Sequence, residues 1–176
     1  MPLNLLKVYP QLLEILHLKE NEKRNSLLGI YKRDIEDNSD FKFRGKLIYP
    51  IKANGEIDMG RQFMHLTCKE VYGKGDDGKP LPQKRVFDRD RSERLHWINY
   101  HIHEKMPENI DVFTITERDQ KKRVDVTKTY IYDKKAKYII VLEHQRSDAY
   151  YLLTAYYLNE KYAEKQLLNK MKKCTR

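Results

Sequence analysis

Three side chains in this sequence have the type and setting to act on an anion: His65 in FMHLT, Arg91 in DRDRSERLHW and Thr154 in YYLLTAYYL. An imidazole has an unperturbed pKa of about 6.5 and can take a proton near neutral pH. His65 stands among apolar residues, where a partly buried histidine with its hydrogen bonds satisfied fits as well as a base does, and the sequence leaves both open. Arg91 falls near the apolar stripe of an expected helix, where a guanidinium needs an anion beside it. Thr154 is the one hydroxyl amino acid in an apolar and aromatic strand. Strand alternation sets it beside Tyr150 and Tyr156, either as a β-former on the wetter face or as a hydrogen-bond donor to a ligand.

SERLHWINYHIHEK, residues 92 to 105, holds three of the six histidines and the only tryptophan. At about 100° per residue, Leu95, Ile98 and Ile102 form an apolar stripe, His96 and His103 lie on one flank, and Arg94 and His101 lie on the other. His96 and His103 are two turns apart, whereas zinc ligands on one helix want a spacing of four, so these imidazoles do not make a metal site. Asp88, Asp90 and Glu93 read better as a helix cap than as a carboxylate cluster, with Asp90 and Glu93 at capping-box spacing. Gly73, Gly75 and Gly78 match G-X-G-X-X-G. Asp76 and Asp77 would repel a pyrophosphate, and Pro80 and Pro82 oppose the helix that must follow, so the stretch reads as a flexible loop. Cys68 and Cys174 are too far apart in sequence for a metal knuckle or a disulfide framework, which suits a reducing cytoplasm. No cofactor is expected.

The elements that must position these groups follow from periodicity. Leu12, Leu13 and Leu16, then Leu27, Leu28, Tyr31 and Ile35, predict two N-terminal helices within residues 1–40. Phe41, Phe43, Leu47, Tyr49 and Ile51 predict an extended stretch, followed by the turn residues KANGE. The stretch 92–105 is expected to be the longest internal helix. IDVFTIT, RVDVTKTYIY, KYIIVLEH and YYLLTAYYL, joined by DQKK, DKKA and QRSD, predict a four-stranded antiparallel meander, and NEKYAEKQLLNKMKK a basic closing helix. The expected fold is α+β: N-terminal helices packed on one face of a C-terminal antiparallel sheet of about four strands, with residues 41–176 as the main domain and 1–40 as a helical segment of the same compact unit. The N-terminus, broken by Pro10 and charged from Lys19, lacks the apolar region of a signal peptide, and no run approaches a membrane span. Thirty-five Lys and Arg against 26 Asp and Glu leave +9, favouring a polyanionic partner. Tyrosines near Arg118, Arg123, Lys128 and Arg146 suit bases stacked on rings with cations on phosphates, the pattern of single-stranded RNA binding.

FMHLT, then RVFDRDRSERLHWI, then a meander ending YIIVLEH and YYLLTAYYLNEK, resembles phage and mobile-element proteins of the barnase, EndoU, colicin and RelE-like (BECR) nuclease group over roughly residues 41 to 165. The resemblance implies metal-independent RNA cleavage, in many members as a toxin, with active groups in the helical half and the last strands. Here that means His65 as base, Arg91 and Arg94 on the phosphate, and Thr154 donating to a non-bridging oxygen. Arg89, Arg118, Arg123, Lys128, Arg146, Tyr150 and Tyr156 would bind the RNA. A cognate antitoxin or immunity protein is an implied partner. The alternative is a nucleic-acid-binding accessory protein on the same fold without catalysis.

Overall fold

The computed structural model describes residues 2–50, 52–53, 56–146 and 148–174. Helix α1 spans Pro2–Leu5 and α2 Glu20–Tyr31, the latter running on as a π-helical turn, Lys32–Glu36. Strands β1 (Lys42–Phe43), β2 (Lys46–Tyr49), β3 (Lys52–Ala53) and β4 (Glu56–Ile57) follow, then α3 (Met59–Thr67), β5 (Cys68–Lys74) and β6 (Pro80–Phe87). Two short helices, α4 (Arg89–Ser92) and α5 (Trp97–Ile102), precede β7 (Ile110–Asp119), β8 (Val124–Asp133), β9 (Tyr138–His144) and β10 (Tyr150–Tyr157), and α6 (Lys161–Cys174) closes the chain. The fold is α+β.

The expected meander is present as β7 to β10, inside a six-stranded sheet ordered β1-β2-β10-β9-β8-β7. Its first two turns share one device. Asp119 and Asp133 each accept from two amides of the following turn, and Arg123 and Lys137 close the turns at positive φ. The stretch near residue 45 joins this sheet through β2, parallel to β10. Its β1–β2 hairpin turns on Arg44 and Gly45, both at positive φ, as a two-residue type I′ turn requires. Arg44 is held there by two hydrogen bonds to the Glu104 carboxylate. Ile51, Asn54 and Gly55 of the expected strand end and turn lie outside the described residues.

Helices were expected on one face of the sheet, but successive residues of β9 feed two different cores. Tyr138, Ile140 and Leu142 pack with Leu27, Ile30 and Tyr31 of α2 and with Leu95, Ile98 and Ile102. Ile139 and Val141 pack on the other face with Tyr130, Tyr132, Leu158 and Leu167 of α6. The basic C-terminal helix is therefore anchored through Leu167, which is 5% exposed.

Two helical expectations give way to tertiary contacts. Residues 11–15 are not helical, and burial alternates along them: Leu13 and Ile15 are buried while Leu12 and Leu16 are exposed. Asn4 fixes this course by exchanging hydrogen bonds with the backbone of Glu14 and donating to Ser26 Oγ, and the Leu13 amide donates to the Glu93 carbonyl. The stretch 92–105 is not one helix. Bonds of i to i−3 type from Arg94, Leu95, Trp97 and Ile98 tighten the turn between α4 and α5 and break the 100° phase. His96 and His101 are both buried as a result, and His103 is exposed.

The N-cap of α4 is Asp88, which accepts from the Arg91 amide at 3.2 Å, not Asp90. Asp88→Ala is expected to lower stability by about 0.5–2 kcal/mol, the usual value of a cap; an unchanged urea midpoint would show the cap to be idle. The glycine-rich stretch is the tip of the β5–β6 hairpin, turned by a Gly78 amide to Gly75 carbonyl bond.

Candidate active site

Helices α3 and α4 pack against β10, and Arg91 ties the three together. Its Nη1 donates to the His65 carbonyl at 3.0 Å and reaches the Cys68 carbonyl at 3.5 Å, and its Nε lies 3.5 Å from Asp88 Oδ2. The guanidinium carbon sits 5.6 Å from the Tyr156 ring centroid. The anion that Arg91 was expected to need is, within this chain, Asp88. A groove of about 210 Å³ opens beside it, lined by Lys69, Asp88, Asp90, Tyr156, Tyr157 and Asn159 among others.

His65 lies half-buried in the last turn of α3. Burial first, then the positive charges of Arg85, Arg91 and Arg61, hold its imidazole below the ordinary pKa, with Glu70 opposing. An imidazole so placed is neutral at pH 7 and able to accept a proton.

Arg94 has a different setting from the one expected. It is buried, donates to the Asp90 carbonyl at 2.9 Å, and lies 4.1 Å from the Tyr157 ring and 5.2 Å from Trp97. Its guanidinium braces the groove from behind and is not offered to a phosphate. Its Nε has no hydrogen-bond partner among the described residues.

Thr154 was expected to share a face with Tyr150 and Tyr156. A register shift between Leu152 and Thr154 breaks the alternation of β10. Tyr150 therefore belongs to the helix-side core, edge-on to Phe43 and His144 and 7% exposed, so its ring is closed to a base. Tyr156 packs against the α6-side core with Thr154 two residues away. Among the described residues, no hydrogen bond links the Thr154 hydroxyl to Arg91 or His65.

The other expected RNA contacts divide into paired and open. Arg89 is bonded to Glu93 at 2.9 Å, Arg118 to Asp125 at 3.2 Å, and Lys128 lies 3.5 Å from Glu117. Arg123 and Arg146 are exposed at the turns of the meander.

The helical histidines do not meet. Neither ring nitrogen of His96 meets a hydrogen-bond partner of good geometry among the described residues, and burial holds its pKa down to about 4, with the nearby Gln11 backbone pulling weakly the other way. His101 bonds to Asp133 instead. Among the described residues, no three His, Cys, Asp or Glu side chains gather to hold a metal ion.

Sequence reasoning missed Lys69, Tyr157 and Asn159 in the groove, and a network on the α6-side face. There Glu117 lies 2.6 Å from Lys170 Nζ and accepts from Tyr130 at 3.3 Å. The doublet Tyr156-Tyr157 was the available signal, since consecutive strand residues must face opposite sides of an edge. Comparison with known protein families, with characterised proteins and with solved structures finds no match.

Proposed function

We propose that this chain is a metal-independent endoribonuclease of the BECR type, acting in the groove beside Arg91. The observation that carries the reading is the Arg91 junction: a partly buried guanidinium, its side chain 20% exposed, fixed on the His65 carbonyl, lying over Tyr156 and lining a groove with Lys69. In this reading His65 takes the proton of a ribose 2′-hydroxyl. The 2′-oxygen bonds to phosphorus, the bond to the 5′-oxygen breaks, and that oxygen is protonated from solvent. Arg91, with Lys69, steadies the charge that builds on the phosphoryl oxygens. Thr154, two residues before Tyr156 on β10, is assigned in this reading as a donor to RNA. A toxin role, and an antitoxin covering the groove, belong to the same proposal.

The accessory-module reading draws on a different observation: both arginines already have partners within the chain, Arg91 on two carbonyls and Asp88, Arg94 on Asp90. Inducing the gene with and without Arg91→Ala separates the two. Under the nuclease reading, wild type arrests growth and the variant does not, with RNA cleavage lowered about 10²- to 10³-fold, as for loss of one donor to a developing oxyanion. Equal, harmless growth with intact RNA binding would favour the accessory module. Among the described residues no helix is long and apolar enough to cross a membrane.

A further inference from the structure

A second cavity, about 420 Å³ against about 210 Å³ beside Arg91, lies between β7 and the last turns of α6. Its walls are Thr114, Ile115, Thr116, Glu117, Lys170 and Lys173, with Cys174 at one end. The volume falls within the roughly 300–1,000 Å³ of small-molecule sites. Strand β7 is the last in its sheet, so alternate N–H and C=O groups point outward from it, able to bond the edge of a planar base. Ile115 supplies an apolar surface on the α6 side, while the Thr114 and Thr116 hydroxyls are bonded to Thr129 and Thr127 across the strand pair. Glu117 is the one carboxylate in the wall among the described residues, and it is more than neutralised: Lys170 lies 2.6 Å from one oxygen and Lys128 3.5 Å from the other. Lys173 is exposed and makes no ion pair among the described residues.

The cavity and the Arg91 groove lie toward opposite ends of α6. Asn159 and Glu160 line that groove immediately before α6 begins, and Cys174, the last residue of α6, lines this cavity. At about 1.5 Å per residue the helix spans roughly 20 Å between them. At the cavity end Lys170 lies over the Tyr130 ring, 5.5 Å from its centroid; that ring is buried and stacked on Phe113, so it braces Lys170 and is closed to a base.

We propose that the β7–α6 cavity is a second nucleotide-binding subsite, taking one base against Ile115 and the open edge of β7 with its phosphate on Lys173. This rests on the reading above only in taking single-stranded nucleic acid as the ligand. It makes the C-terminal turns of α6 part of the binding surface.

The test separates this subsite from catalysis by using a non-cleavable all-deoxy octanucleotide and adenosine 5′-monophosphate on the full chain. Both are expected to shift the amide resonances of Ile115, Glu117 and Lys173. Lys173→Ala should weaken octanucleotide binding several-fold and reduce its salt slope by about 0.7, one single-strand phosphate contact. Lys32→Ala removes the same charge from an exposed site on the π-helical turn and should leave the slope unchanged. Equal slopes for the two variants, or shifts produced by a hexaglutamate peptide and not by the nucleotide, would overturn the subsite. A protein that binds the octanucleotide through this cavity yet never cuts RNA would refute the nuclease reading and leave the subsite standing.

Discussion

Asp133→Ala is expected to cost the fold about 3–5 kcal/mol, the usual loss when one member of a buried ion pair is removed. Asp133 is 2% and His101 1% exposed. One carboxylate oxygen accepts from Tyr9 at 2.7 Å and from His101 Nε2 at 2.8 Å, while His101 Nδ1 lies 2.7 Å from the Trp97 carbonyl. Both ring nitrogens thus face oxygen partners. Removing the carboxylate leaves a buried ring nitrogen without its partner, and it frees Tyr9, which stacks on Tyr100 and meets the edges of Trp97 and His101. At about 2–4 °C per kcal/mol for a chain of this size, the melting temperature should fall by roughly 6–20 °C. Asp133→Asn keeps an acceptor for the Lys135 and Ala136 amides and should fall less, the difference measuring the charge.

The same site sets an acid limit. Burial pushes the Asp133 pKa up, but bonds from His101, the Ala136 amide and Tyr9, with the charge on His101, bring it down to about 2. A carboxylate depressed in the folded state contributes stability that is present above its unfolded pKa, about 3.9, and is lost as pH falls from there through about 2. Wild type should lose stability across that window more steeply than Asp133→Asn. Parallel acid curves would show that the carboxylate charge is not what His101 and Tyr9 hold.

Why the meander was readable and its neighbours were not is a matter of range. Each strand of β7 to β10 carries its own β-branched and aromatic run, and each of the first two turns carries an aspartate that bonds its own amides; those are local causes. LLEILHL satisfies periods of both 2 and 3.6, and the choice is made by Asn4 ten residues away. His101 finds Asp133 at a separation of 32, and no spacing rule announces such a partner. Thr154 was assigned its neighbours by strict alternation, and a register shift beside Leu153 undid that. Arg91 was the most informative residue, because a guanidinium near an apolar stripe must be satisfied wherever the chain goes. The sequence could not say that backbone carbonyls of α3 and β5 would do it.

His65→Ala is expected to lower RNA cleavage by about 10² to 10⁴, the ordinary contribution of a general base. Wild-type cleavage should survive excess chelator and yield a 2′,3′-cyclic phosphate, and a 2′-deoxy linkage should resist cutting while still binding, since phosphate and stacking contacts remain. The pH profile carries the sharper test. A base works when deprotonated, and burial together with Arg85, Arg91 and Arg61 holds His65 below the ordinary histidine pKa. The rate should therefore rise with pH on a limb centred below about 6.5 and level off by neutrality, and His65→Ala should lose that limb. Glu70 pulls the other way; Glu70→Gln should shift the limb to lower pH, because removing the carboxylate leaves the arginines unopposed. Glu70 also bonds Arg85 at 2.7 Å and accepts from Tyr72 at 2.7 Å, so a folding check by circular dichroism accompanies that variant. A limb unmoved by Glu70→Gln and retained in His65→Ala would place the base elsewhere, and cutting of the deoxy linkage would exclude attack by the 2′-hydroxyl altogether.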